Sequence, residues 1–169
     1  FSFIITIDGQ EISNYTYENK ILTIPQVSGN VNIIGKSSTP LEYFEFDSVN
    51  GTITEFTDES YSGPVIIPDT INGVKVTSIG ENAFNDCSSL TKITLPNGLE
   101  QIAPSTFENC ENLLSIELPK SVKSIGSNAF KDCASLEKIK FNSNLAVIGD
   151  YSFYKCTALK QISLPDSVT

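Results

Sequence analysis

Four phenylalanines, Phe84, Phe107, Phe130 and Phe153, stand 23 residues apart, and so do Cys87, Cys110, Cys133 and Cys156. The same 23-residue step relates Ile79, Ile102, Ile125 and Ile148, and Leu90, Leu113, Leu136 and Leu159. It relates Val76, Leu99, Val122, Leu145 and Val168 as well, with no gap anywhere in the register. A chain written this way brings the same side chains to the same place once per unit. Each unit offers about eight positions for burial, worth roughly 1.5–3 kcal/mol apiece. Ordering its backbone costs roughly 1–2 kcal/mol per residue. One unit alone is therefore unstable, and stacked units must bury one another's faces.

Within each unit the spacing L-x-x-I-x-L alternates at period two. KITLP (92–96), SIELP (115–119), KIKFN (138–142) and QISLP (161–165) are predicted as short strands that lie side by side in a parallel sheet. Pro96, Pro119 and Pro165 end three of them, because proline cannot extend the ladder, and Asn142 takes that place in the third unit. The segment from Gly80 to Cys87 and its echoes are expected as one helical or 3-10 turn on the opposite side. V-x-x-I (76–79) is expected as a second, looser strand. The predicted fold is a leucine-rich-repeat solenoid of 23-residue units, with a parallel β-sheet on one side and short helical or 3-10 turns opposite.

Every 23rd residue of a solenoid stacks on its equivalent roughly 4.8 Å away. A ladder of cysteines then consists of small buried apolar side chains, and free thiols are expected. Pairing as Cys87–Cys110 and Cys133–Cys156 would need Cβ atoms that converge to about 3.8 Å, whereas stacked side chains run parallel. Ligands at a uniform spacing form a line, which does not suit tetrahedral zinc. A catalytic thiol has no activating histidine.

The chain of 169 residues holds no His, no Trp, no Met and no Arg. Without His it lacks the commonest general base and metal ligand. Without Arg, and with a net charge of −9, it is a poor partner for nucleic acid. No constellation suggests the pair of facing carboxylates that glycoside hydrolysis requires, so no enzyme and no cofactor is expected. There is no run of 18 apolar residues to span a membrane. FSFIITI (1–7) lacks the basic leader and cleavage site of a signal peptide. Absence of an initiating Met suggests a processed protein or an excised piece.

Three regions are expected. Residues 1–40 form a small all-β module or the tail of an upstream β-sandwich, with turns at Asp8-Gly9, Glu18-Asn19 and Ser28-Gly29-Asn30 and a linker over KSSTPL (36–41). Residues 41–75 form a β-hairpin cap, signalled by Asn50-Gly51 between alternating apolar runs, and a degenerate first repeat around VIIP (65–68). Its aromatics, Tyr43, Phe44, Phe46, Phe56 and Tyr61, are expected as cap core, with a stacking platform as the alternative. Residues 76–169 form four repeats, open at the C-terminus and consistent with a piece of a longer array. Charge follows this division: residues 1–75 carry ten acids and three lysines, and residues 76–169 ten acids and eight lysines. Asp58-Glu59 and Asp8 with Glu11 lack an ordered calcium loop, so no metal is expected. The sequons at Asn14 and Asn50 are expected to be unmodified.

The pattern I-G-x-x-A-F-x-x-C-x-x-L-x-x-I-x-L-P, met throughout in IGENAFNDCSSLTKITLP (79–96), resembles the BspA-type leucine-rich repeats of bacterial cell-surface and secreted proteins. Departures are Ala103 for Gly, Thr106 and Ser152 for Ala, and Phe141-Asn142 for Leu-Pro. The resemblance is strong over 63–169 and moderate over 41–62. It implies an extracellular or cell-surface, non-enzymatic protein, with adhesion to host proteins, matrix or other cells. It carries no site residues across.

The site expected from the strands is their exposed face. Ile and Leu point inward, so Lys92, Ser115, Lys138 and Gln161 form one outward ladder and Thr94, Glu117, Lys140 and Ser163 a second. Glu117 is placed to pair with Lys140. The expected partner is a protein or glycan ligand, such as host matrix or mucin, with end-to-end self-association as a further contact. The alternative is a structural spacer with a merely solvated sheet.

Overall fold

The computed structural model describes residues 39–169 throughout and, before them, the backbone of five strands. It divides into two compact units, 1–38 and 39–169.

In the first unit Ser2–Ile7 lies between Gln10–Ile12 and Val31–Lys36 in an antiparallel sheet. Thr16–Glu18 and Ile21–Thr23 form a separate antiparallel pair. The elements described in this unit are all strands. Lys36, expected to open the linker, instead ends the last strand; the turns at Asp8-Gly9, Glu18-Asn19 and Ser28-Gly29-Asn30, the linker residues Ser37 and Ser38, the side chains of Asp8 and Glu11, and the sequon at Asn14 lie outside the described residues.

The second unit is a solenoid with the predicted 23-residue step. Phe56, Phe84, Phe107, Phe130 and Phe153 stack as one column, with centroids 5.1, 5.4, 5.3 and 5.5 Å apart. Phe84, Phe107 and Phe130 are wholly buried. Phe56 belongs to the cap, so the hairpin supplies the rung that a preceding repeat would have supplied. Tyr43, Phe44 and Tyr61 pack around it. Of the cap aromatics, Phe44 and Phe56 are thus buried in the core, and Tyr43, Phe46 and Tyr61 pack partly buried against it.

The hairpin consists of Phe44–Asp47 and Thr52–Phe56. The Asp47 carboxylate accepts the Val49 and Asn50 N–H groups at 2.9 and 3.3 Å, which fixes the loop. Gly51 sits at φ 65°, where a Cβ would lie 2.5 Å from the Lys75 carbonyl oxygen. DTINGVK (69–75) forms a second, tiny hairpin, Thr70–Ile71 with Val74–Lys75. Its turn residues Asn72 and Gly73 have φ 51° and 81°, the left-handed pair that a two-residue turn demands.

Two strand series differ from expectation in their relative regularity. V-x-x-I, expected as the looser series, forms the continuous sheet. Val147–Ile148, Ser124–Ile125, Gln101–Ile102 and Ser78–Ile79 run parallel beside Thr52–Phe56, with Phe44–Asp47 antiparallel at the edge. The glycine that follows Ile79, Ile125 and Ile148 lets successive backbones close up, and Ala103 takes that place in the second unit. The Gly126 and Gly149 N–H groups each donate to the preceding unit's Ile carbonyl at 2.8 Å. A Cβ on Gly126 would stand 2.5 Å from the Pro104 nitrogen.

The L-x-x-I-x-L series is interrupted. Val65–Ile66 pairs with Ile93–Thr94, and Ser115–Glu117 with Lys138–Lys140. Between these pairs, among the described residues, the ladder is reduced to the bridge Lys92–Ser115 and a hydrogen bond from the Leu114 N–H to the Thr91 carbonyl at 3.2 Å. The predicted strand at 161–165 is not formed, which corrects the sequence expectation. No backbone hydrogen bond joins 161–165 to Lys138–Lys140 among the described residues. Alternate burial fixes such a strand, and here Ile162 and Leu164 stay 38% and 53% exposed.

The segment opposite the strands is a chain of short turns. Ala83, Asn85, Cys87 and Leu90 each donate to the carbonyl three residues back. They do not merge into a continuous 3-10 helix, because Asn82 and Asp86 break the run at φ 59° and 61°. All four cysteines are free and buried. Their thiols donate along the array: Cys110, Cys133 and Cys156 to the carbonyls of Phe84, Phe107 and Phe130 at 3.2, 3.1 and 3.0 Å.

Candidate binding face

The eight side chains expected to face outward are all exposed: Lys92, Thr94, Ser115, Glu117, Lys138, Lys140, Gln161 and Ser163. Alternation explains this for the formed strands, where Ile93, Leu95, Ile116 and Leu118 turn into the core. Six of the eight come together. Lys92, Thr94, Ser115, Glu117, Lys138 and Lys140 line one groove of about 430 Å³, with Ile93, Leu95 and Ile116 at its floor. Gln161 and Ser163 stay outside it, because their segment is not a strand.

The groove opens where the strand ladder is reduced to the Lys92–Ser115 bridge. Each strand there is two or three residues long. A short rung that a proline follows has little pairing with which to hold its neighbour along its whole length. Electrostatically the groove is unlike the rest of the chain. Three lysines face one glutamate, and that glutamate's carboxylate is in contact with the Lys140 ammonium. Both partners are about two-thirds exposed, so the pair orients the side chains and stabilises little. Lys92 and Lys138 have no carboxylate partner among the described residues.

Sequence reasoning passed over a second face on the other sheet. Thr77, Ser78, Glu100, Gln101, Lys123 and Ser124 line a groove of about 450 Å³. Its signal was present in the residues between Val and Ile of each V-x-x-I stretch. It carries one Lys and one Glu, without the charge bias of the first groove.

Polar residues at the turns are structural. Glu108 accepts from Lys131 at 2.6 Å, and Lys155 approaches Asp132 at 3.2 Å. The hydrogen bond from Lys131 is the main cause that holds the Glu108 carboxyl below the usual range. The hydroxyls that replace Ala donate to backbone carbonyls. Thr106 reaches Ala103 at 2.8 Å, and Ser152 reaches Gly126 at 3.1 Å. Burial pushes the thiols up, to about 12 at Cys87 and Cys133 and about 11 at Cys156, which makes them inert as nucleophiles. Among the described residues no group of three His, Cys, Asp or Glu side chains is placed to hold a metal ion. No helix among them is long and apolar enough to cross a membrane.

Comparison with known proteins agrees with this architecture. The family model described as "BspA type Leucine rich repeat region (6 copies)" matches residues 54–169. A leucine-rich repeat protein of T. pallidum is similar in structure, with a TM-score of 0.73 and 32% identity over 79% of this chain and 63% of that one. A leucine-rich cell surface protein of Faecalibacterium prausnitzii A2-165 gives 0.60 and 26%, over 86% and 38%. A leucine-rich repeat protein of Bacteroides ovatus ATCC 8483 gives 0.60 and 29%, over 93% and 41%. The chain thus spans less than two-thirds of each of these solved relatives. No curated protein sequence matches it.

Proposed function

The chain belongs to the BspA-type leucine-rich repeat family, and from that premise we propose that it is an extracellular binding module whose ligand seats on the groove over 92–95, 115–119 and 138–140. A protein-interaction repeat is the general reading of the family and fold. The cell-surface setting and adhesive role rest on the sequence pattern and on the resemblance to a solved cell surface protein. The observation that carries the site is the convergence of Lys92, Lys138 and Lys140 on one groove in a chain of net charge −9.

Such a groove selects acidic surface on a protein ligand, of host matrix or a mucin polypeptide for example. The apolar floor is shallow and lacks aromatic and Arg anchors, so affinity is expected in the micromolar range and sensitive to salt. Immobilised matrix proteins and mucin, presented to the chain at low and high ionic strength, test this. Binding should weaken with salt and be lost on Lys138→Glu with Lys140→Glu. Binding that survives this double charge reversal would place the ligand elsewhere.

A structural spacer is the second reading, favoured by the unbroken five-ring phenylalanine column and the continuous sheet. It predicts no ligand that depends on these lysines.

A further inference from the structure

Two left-handed backbone positions recur in every repeat. The first is occupied by Asn82, Ser105, Asn128 and Tyr151, at φ 59°, 52°, 58° and 56°. The second is occupied by Asp86, Asn109, Asp132 and Lys155, at φ 61°, 62°, 58° and 60°. Asn and Asp suit such positions, because their short side chains tolerate the left-handed region. A bulky aromatic there is an outlier. The fourth unit places unsuited residues at both positions.

Both converge on one ring. Tyr151 and Tyr154 meet edge to face, with centroids 5.9 Å apart at 87°. The Lys155 ammonium lies 5.6 Å from the Tyr154 centroid. Burial does not offset the strain, since Tyr151 is 69% exposed and Tyr154 49%. Asn82 is exposed too, although a complete unit stacks beyond it. Ser105 and Asn128 are partly exposed under their following units, so the repeat leaves this position at least partly open to solvent. A strained residue that contributes no core packing is a candidate for function.

We propose that Tyr151, braced by Tyr154 and Lys155, is a stacking platform for a pyranose ring, with neutral β-linked hexose oligosaccharides as its ligand class. The ring is largely exposed, which suits a flat ligand better than a protein anchor that must be enclosed. Equatorially linked hexoses present flat C–H faces to an aromatic ring. The exposed Asp150 beside the platform, with the tyrosine hydroxyls, supplies hydrogen-bond groups for sugar hydroxyls. The Lys155 ammonium is engaged by Asp132 at 3.2 Å, so no free cation selects an anionic sugar.

The chain has six tyrosines and no tryptophan, so its tyrosine fluorescence reports such stacking directly. Cellopentaose and chitopentaose titrated into the full 169-residue chain should quench it saturably, for one probe at least. Tyr151→Asn, which restores the residue of units one and three, should weaken that binding by about tenfold or more and leave Tm unchanged or raised. Tyr151→Phe keeps the ring and should keep the binding. Lys138→Glu with Lys140→Glu should leave it unaffected, which separates this site from the groove. The proposal is overturned if neither sugar binds, or if Tyr151→Asn binds as the parent does. A lower Tm in Tyr151→Asn would overturn it too, since the ring would then be structural.

Discussion

Phe130 illustrates what one residue does in a stacked array. Its ring is wholly buried, with Phe107 at 5.3 Å on one side and Phe153 at 5.5 Å on the other. Removing it opens a cavity that neither neighbour can fill, because each is held by its own unit. Phe130→Ala should cost about 3–5 kcal/mol in denaturant melts, the usual range for a large core side chain. Phe153 is only partly buried and has a ring on one face, besides the edge contact with Phe141 at 6.1 Å. Phe153→Ala should cost clearly less, and equal losses would contradict the column. The column was legible in the sequence because a fixed period names its members without any knowledge of geometry. Phe56 was not, since it lies outside the register and joins the column only through the hairpin. Nor were the acceptors of Thr106 and Ser152 legible: a hydroxyl in place of Ala gives no hint that carbonyls of its own and the preceding unit lie within reach.

At the scale of elements, the closeness of neighbouring units decides which strands form. Gly126 lets its unit's backbone settle onto the preceding one, and a Cβ there would meet the Pro104 nitrogen at 2.5 Å and the Ala103 carbonyl carbon at 2.7 Å. Gly98 is less crowded, with one tight approach, the Val76 oxygen at 3.3 Å, that a shift of a few tenths of an ångström relieves. Gly126→Ala should therefore destabilise by about 1–3 kcal/mol, as overpacking does, while Gly98→Ala should cost clearly less; thermal melts of the two variants check the contrast. Units are also tied by Lys131 and Glu108. Glu108 has a folded pKa below its unfolded value of about 4.3. Its contribution is complete above that value and is lost as the pH falls through the folded pKa. Glu108→Gln should lower stability at pH 7 and flatten the loss between about pH 5 and pH 2, followed by urea melts across that range. Alternation located the strands predicted over 92–96, 115–119 and 138–142, of which 93–94, 115–117 and 138–140 form. It failed at 161–165, because sequence pattern reports a capacity for burial and not the presence of a neighbour to bury against. The Asn72-Gly73 hairpin was legible in principle, yet the flanking strands are two residues each, too short for alternation to show. The six-residue groove was half legible: alternation gave its side chains, and only the structure gave the interrupted ladder that gathers them.

At the scale of the whole molecule, the two ends of the solenoid are not equivalent. One is closed by the hairpin and its aromatics. At the other, among the described residues, Ile162 and Leu164 are 38% and 53% exposed and Phe153 is only partly covered. The backbone of 161–165 makes no ladder bonds there. Apolar side chains beside unpaired backbone groups recruit neighbours. The charge distribution does not oppose this strongly, since residues 76–169 carry ten acids and eight lysines. End-to-end association of the isolated chain is therefore expected through this face at high concentration, and sedimentation up to millimolar concentration should reveal it. Ile162→Lys with Leu164→Lys should abolish it without loss of folding, because both side chains are already exposed. Addition of a fifth consensus unit with a polar outer side should also abolish it. That unit should raise Tm as well, since it would bury Ile162 and Leu164 and give 161–165 a partner, and nearest-neighbour interfaces add to the stability of a repeat array. A chain that stays monomeric at millimolar concentration, with a Tm indifferent to the added unit, would mean that the fourth repeat is complete without a neighbour.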